Sequence, residues 1–113
     1  MGKHMKPKRD DELTTRVIKN FSDVLILKYL KENPLSSGYE ILRHLHEKYK
    51  ITFSPGTIYH EIYLLERKKF IRSEGDEGGR MFSLTFEGEQ ALTEIFKAAR
   101  DIQQLVANIF LEK

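Results

Sequence analysis

The chain of 113 residues contains no cysteine, no tryptophan and only three prolines. The absence of cysteine excludes a disulfide scaffold, a thiol nucleophile, a redox pair and a thiolate zinc site. No apolar run approaches the ~20 residues that span a bilayer, and no segment resembles a signal peptide. Because 40% of the residues are apolar and 32% are charged, we expect one packed, soluble domain in the cytoplasm.

Charge is unevenly distributed along the chain, although the formal net charge is only +2. Residues 1–80 contain 16 Lys and Arg against 12 Asp and Glu, a balance of +4, whereas residues 81–113 contain 3 against 5, a balance of −2. Lys and Arg are concentrated at 67–72. A basic part followed by an acidic part fits a nucleic-acid face and a separate assembly element.

The first third of the chain predicts two helices. Residues 1–9 are interpreted as a flexible basic arm that begins with a remnant of cloning, because a second Met follows closely on the first. Leu13, Val17 and Phe21 recur at a spacing of four, which predicts an N-terminal helix. Residues 22–32 are apolar on nearly all sides, which predicts a core helix.

Two further helices begin at explicit start signals. Ser37 and Glu40 form a capping box at the start of one helix, while Ser54 and Pro55 suit the N-cap and first position of the next. Placing the residues of the latter helix 100° apart gives an apolar face and an opposite face. The apolar face contains Ile58, Ile62 and Leu65, and the opposite face contains Gly56, His60, Tyr63 and Arg67, flanked by Thr57 and Tyr59.

After residue 70 the period changes from about 3.6 to about 2. Residues 71–74 and 80–84 are predicted to be two strands joined by a glycine-rich turn. Thr85 caps a long helix predicted over 86–111, whose apolar residues follow a heptad pattern typical of an interface between helices. We expect a second copy of the chain to cover this apolar seam. The seam consists of Leu92, Ile95, Ala99, Ile102, Val106 and Ile109.

Helices followed by a hairpin are the order of a winged helix-turn-helix domain, a mainly α fold with a small β-hairpin. We assign 10–85 to this DNA-binding domain with its N-terminal helix, and 86–113 to a C-terminal dimerisation helix. The recognition helix, 54–69, is expected in the major groove, and the wing, 71–84, on the backbone or in the minor groove.

The candidate DNA-binding residues are those that suit this geometry. Short residues at the start of the recognition helix allow its backbone to approach phosphates. Arginine reads guanine or binds phosphate, and the late position of Arg67 favours phosphate. Arg80 has two interpretations, a phosphate contact from the wing, which we prefer, or a charge that pairs the strands. The full set is Ser54, Gly56, Thr57, Tyr59, His60, Tyr63, Arg67, Lys68, Arg72 and Arg80.

Three segments, SSGYEIL, SPGTIYHEIYLLERKKFI and GGRMFSLTFEGEQ, resemble the PadR-type transcriptional regulators over residues 22–92. The resemblance includes the Leu65-Glu66 pair and the Leu84-Thr85-x-x-Gly88 ending. It implies a dimeric DNA-binding regulator, expected to be a repressor that binds palindromic operators. It also implies the short type, which lacks an extra C-terminal domain and dimerises through its last helix, often with the N-terminal helix.

Two positions depart from the usual pattern of these regulators. Ser37 stands where histidine is frequent, and His60 stands where proline commonly follows the tyrosine. The second departure lies on the predicted DNA face, which suggests an unusual base preference. Some short members bind aromatic drugs with the help of tryptophan, which this chain lacks, so no small-molecule effector is assigned.

The sequence predicts no enzyme, no cofactor and no metal site. His44 and His46 are two residues apart on a helix, hence about 200° apart, and cannot share a metal ion. The glycines at 75–79 do not lie between a strand and a helix, so they do not form a phosphate loop. The alternative function is a winged-helix module that binds another protein and not DNA.

Overall fold

The structure, a computed structural model, describes residues 12–76 and 79–112; the basic arm predicted for residues 1–9 lies outside them. In the described part of the chain, four helices precede the wing and two follow it. The helices are α1 (Glu12–Lys19), α2 (Ser22–Glu32), α3 (Gly38–Tyr49), α4 (Pro55–Arg67), α5 (Phe86–Lys97) and α6 (Ala99–Leu111), and the strands are β1 (Ser36–Ser37), β2 (Ile71–Glu74) and β3 (Met81–Leu84).

Side-chain caps fix the starts of three helices, as the sequence predicts. The Ser37 hydroxyl accepts from the Glu40 N–H at 3.1 Å, and the Glu40 carboxylate accepts from the Ser37 N–H at 2.8 Å. The Ser54 hydroxyl accepts from the N–H of Thr57 at 3.1 Å. Thr85 caps α5 in the same way. Each cap satisfies an amide that the first helical turn leaves without a backbone partner.

The core is formed where α2, α3, α4, the sheet and α5 meet. The predicted inner face of α4 is confirmed, because Ile58, Ile62 and Leu65 are all buried. The remaining core residues are Ile26, Leu27, Leu30, Ile41, Leu45, Ile51, Phe53, Ile71, Phe82 and Leu92. With its inner face fixed against this core, α4 presents its opposite face to solvent.

The sheet has three antiparallel strands in the order β1-β3-β2, one strand more than the predicted hairpin. The hairpin itself is confirmed, with Ile71 opposite Leu84. The additional strand pairs Ser36 with Phe82. Serine has a low propensity for strands. Strand β1 forms because Leu35, with φ 60°, turns the chain after Pro34 and brings residues 36–37 to the free edge of β3.

The prediction of one helix over 86–111 was wrong, because α5 ends at Lys97 and α6 begins at Ala99. Between them Ala98 has φ −89° and ψ 4°, and its N–H is shared between the Glu94 and Ile95 carbonyls. No glycine or proline marks the break. It separates a helix that belongs to the protomer core from a helix with no buried residue.

Leu92, predicted to lie in the seam between two copies, is 1% exposed and packs in the protomer core. Its side chain is therefore occupied within one chain, because α5 lies against α2 and the sheet. The predicted seam residues after Leu92, from Ile95 onward, are half-buried or exposed. Within residues 12–76 and 79–112, no helix is long and apolar enough to cross a membrane.

Candidate nucleic-acid interface

The start of α4 is tightly organised and sterically open. The Ser54 and Thr57 hydroxyls lie 2.7 Å apart, so both predicted contact residues also take part in the N-cap. A Cβ built on Gly56 would meet no atom within 4 Å. The backbone of the first turn is therefore accessible to a large ligand, and the positive end of the helix dipole favours an anionic one.

The outward face of α4 carries aromatic, imidazole and guanidinium groups in succession. His60, Tyr63 and Arg67 are all exposed. The Arg67 guanidinium lies 5.7 Å from the centre of the Tyr63 ring, an arrangement that fixes the arginine beside the phenol. Both side chains offer hydrogen-bond donors to solvent from one side of the helix.

Tyr59 connects α4 with the start of α3. Its ring lies so close to Gly38 that a Cβ there would be 2.3 Å from the Tyr59 Cε1 atom. Tyr59 nevertheless stays partly exposed. Tyr39, which follows Gly38 on α3, is exposed, and the Arg43 guanidinium lies 5.8 Å from the centre of its ring. This second aromatic–arginine pair, on α3, was not predicted, because Tyr39 was considered only as part of the SSGYEIL segment.

The turn from α4 into the wing is basic. Lys68 is the C-cap of α4 and is exposed, and Lys69 follows with φ 68°, in the left-handed region. The Thr85 hydroxyl donates to the Lys69 carbonyl at 2.6 Å, which holds this conformation. Arg72 lies on β2, opposite Ser83, and its side chain is exposed.

Arg80 does not extend freely from the wing. One of its guanidinium nitrogens, Nη2, donates to Glu66 Oε2 at 3.0 Å and also to the Ser73 hydroxyl. Within the chain, Arg80 therefore joins the wing to Glu66 of α4, and the phosphate contact that the sequence favours stays a prediction. The sequence did not predict the contact with Glu66, which precedes Arg80 by 14 residues. Of the ten predicted DNA-binding residues, Arg80 alone has an ion pair within the described residues.

The polar groove between α2 and α3 is distinct from this face. The His44 ring stacks on Tyr29 with centroids 4.4 Å apart and meets Tyr49 edge-on. Burial, reinforced by the charge of Lys48, lowers the pKa of His44 below the ordinary 6.5. Within the described ranges, no three His, Asp or Glu side chains are placed to hold a metal ion.

The remaining seam residues lie on α6, together with apolar residues that the heptad pattern did not include. Ile102 and Val106 are partly exposed, and Ile109 is 62% exposed. Leu105 and Phe110 add to the same surface, which we call the α6 stripe: Ile102, Leu105, Val106, Ile109 and Phe110. Of the other two seam positions, Ala99 is exposed and Ile95 is half-buried. An apolar surface of this extent is typical of an interface.

The order of elements and the exposed face of α4 define a winged-helix domain, the class of fold that places its third core helix in the major groove of DNA. Comparisons with known proteins are more specific. The model of the "Transcriptional regulator PadR-like family" matches residues 26–94. The comparison with curated protein sequences gives no match. The chain belongs to the PadR-like family of transcriptional regulators.

Several solved structures share the fold. A transcriptional regulator from Clostridium thermocellum is 27% identical, and the match covers 87% of this chain and 97% of that one with a TM-score of 0.70. A PadR family transcription regulator from Clostridium difficile R20291 is 33% identical, with coverage of 80% and 98% and a TM-score of 0.62. A Streptococcus transcriptional regulator is 26% identical, with coverage of 83% and 96% and a TM-score of 0.67.

Proposed function

We propose that this protein is a cytoplasmic, homodimeric repressor that binds palindromic operator DNA through α4 and the wing. The observation that carries the proposal is the outward face of α4. It combines an open helix start at Gly56 with exposed donors at His60, Tyr63 and Arg67. A face with these properties, fixed on a rigid core, suits insertion into the major groove.

The residues on this face have different expected roles. His60 and Tyr63 lie in the middle of α4, where side chains reach base edges, so we assign them to sequence readout. Arg67, Lys68 and Arg72 lie at the end of α4 and on the wing, where cations neutralise phosphates. Tyr59 packs on Gly38, so we assign it a role in holding α4 against α3 and expect its exposed part to contact phosphate.

Dimerisation is supported by the α6 stripe. Five large apolar side chains on one helix, none of them buried, require a cover, and a second copy provides one by symmetry. Two recognition helices related by a two-fold axis would read a palindrome with half-sites about 10 bp apart, or a small multiple of that spacing. Binding of a dimer across a promoter would then exclude the polymerase, which is the repressor mechanism.

Replacing Arg67 with alanine tests the contact to phosphate. We expect Arg67→Ala to weaken binding to all duplexes and to reduce the slope of log K against log salt by about 0.9, because one phosphate contact is lost. Lys28→Ala, which removes an exposed cation of α2, is the matched control. Fluorescence anisotropy over a range of salt measures both. An unchanged slope for Arg67→Ala would remove Arg67 from the interface.

Replacing His60 tests base readout. His60→Ala should change which duplexes are enriched in selection from random DNA, with little change in the salt slope. A profile identical to that of the unaltered protein would show that His60 reads no base. The competing function, a module that binds another protein, predicts neither duplex binding nor retention on heparin with steep salt dependence.

A further inference from the structure

One carboxylate connects the recognition helix with both strands of the wing. Glu66 lies on α4, beside Arg67, and its Oε2 accepts from the Ser73 hydroxyl of β2 at 2.7 Å. The Arg80 Nη2 donates to both oxygens of the same carboxylate, at 3.1 and 3.0 Å. Because Arg80 directly precedes β3, Glu66 holds one strand through Ser73 and the other through Arg80.

The three side chains form a closed network. Arg80 also donates to the Ser73 hydroxyl, and its guanidinium lies 5.6 Å from the centre of the Phe82 ring. The Glu66 side chain is 29% exposed and that of Arg80 is 43% exposed, so the pair is partly shielded from water. Charge-assisted hydrogen bonds in such surroundings are stronger and more directional than those of fully exposed pairs.

The network lies between the two elements that the proposed function places on DNA. The Leu65-Glu66 pair thus has two tasks: Leu65 packs in the core, and Glu66 reaches the wing. Resting on that proposed function, we propose that Glu66 is a positioning residue for DNA binding. It fixes the angle between α4 and the wing through Ser73 and Arg80, so that helix and wing engage one duplex together.

The sign of the effect distinguishes this role from simple electrostatics. A carboxylate near the DNA repels phosphates, so removing its charge should strengthen binding if charge alone mattered. If Glu66 positions the wing, its removal should weaken binding, although a negative charge is lost. Glu74 provides the comparison, because it lies on β2 of the same wing and is exposed, with no ion pair in the described part of the chain.

The test measures the affinity of the full-length protein for a selected duplex by fluorescence anisotropy. We expect Glu66→Gln to weaken binding about tenfold, because charge-assisted bonds to two partners are lost. Ser73→Ala, which removes one hydroxyl, should weaken binding about threefold. Glu74→Gln should leave binding unchanged or make it slightly tighter.

Hydroxyl-radical footprinting separates positioning from general loss of structure. In Glu66→Gln, protection by the wing at the edges of each half-site should be lost, while protection of the backbone that flanks the major groove contacted by α4 should remain. Binding by Glu66→Gln that is equal to or tighter than that of the unaltered protein would overturn the inference, and so would uniform loss of all protection. If selection from random DNA yields no duplex that the unaltered protein binds, the proposed function is refuted instead.

Discussion

The close approach of α5 to the end of α4 gives a strong test of the fold. A Cβ on Gly88 would lie 2.0 Å from the Phe70 carbonyl oxygen, whereas ordinary contact begins at 3.4 Å. In Gly88→Ala the two backbones must therefore separate by about 1.4 Å, the difference between these distances. The same Phe70 carbonyl accepts from the Thr85 N–H at 3.1 Å, so the separation also strains this bond.

The expected cost follows from these contacts. Overpacking costs about 1–3 kcal/mol, and weakening the Thr85 bonds to Phe70 and Lys69 costs about 0.5–1.5 kcal/mol each. The better helix propensity of alanine returns up to about 1 kcal/mol. We therefore expect Gly88→Ala to lower the free energy of unfolding by about 3 kcal/mol, the middle of a range of about 1–5 kcal/mol.

The measurement is urea denaturation followed by far-UV circular dichroism. All variants are compared at one protein concentration, because association makes apparent stability depend on it. Gly56→Ala is the matched control, since a Cβ there meets nothing within 4 Å, and it should leave stability unchanged or raise it by up to about 1 kcal/mol. A Gly88→Ala protein as stable as the unaltered chain would show that α5 does not approach Phe70 this closely.

Three other predictions concern the stripe, a backbone angle and a titration. Ile109→Asp should convert the dimer to monomer in light scattering, whereas Asn108→Asp should not; a dimer in both would exclude the α6 stripe as the interface. Lys69 has φ 68°, a left-handed angle that glycine adopts more easily, so Lys69→Gly should raise the free energy of unfolding by about 1 kcal/mol. Lys68 has φ −78°, so Lys68→Gly should lower the free energy of unfolding. Changes of the same sign in the two variants would contradict this reasoning. Because the folded chain lowers the His44 pKa, the unfolded chain binds the proton more tightly, so stability should fall as pH drops below 6.5. In urea denaturation, His44→Phe should reduce the fall in stability that occurs as the pH drops through 6.5, and an unchanged fall would exclude His44 as its source.

The helix starts and the inner face of α4 could be predicted because their causes are local. Ser37, Ser54 and Thr85 each cap an amide three residues away, and a pattern of 3.6 residues places Ile58 and Ile62 together. Such signals depend on neighbours along the chain, so they can be recognised without knowledge of the tertiary structure.

The features that sequence reasoning missed depend on distant partners. Strand β1 exists because residues 36–37 meet an edge of β3 more than 40 residues later, and the Ser36–Ser37 sequence itself has no strand pattern. The contact between Arg80 and Glu66 was not predicted, because Glu66 lies on another element. The spacing of Leu92 is compatible with a seam between two helices and with the core of one chain, and only the position of α5 in the fold places it in the core.

The break at Ala98 has no signal in the local sequence. Alanine is a good helix former, and the Ala98 carbonyl still accepts from the Ile102 N–H at 2.9 Å, so the next helix begins at once. As a consequence α5 completes the core, while α6 has no buried residue and is the helix that we propose for dimerisation. The prediction of a single long helix over these residues did not include this division.

Operator binding by the exposed face of α4 is the central claim, and one titration tests it most directly. A duplex selected from random DNA and a scrambled duplex of the same composition are titrated with the full-length protein over a range of salt. We predict tighter binding of the selected duplex by a factor of about 10³ or more, with log K falling linearly with log salt for both. Equal affinity for the two duplexes, or binding that does not respond to salt, would contradict the account.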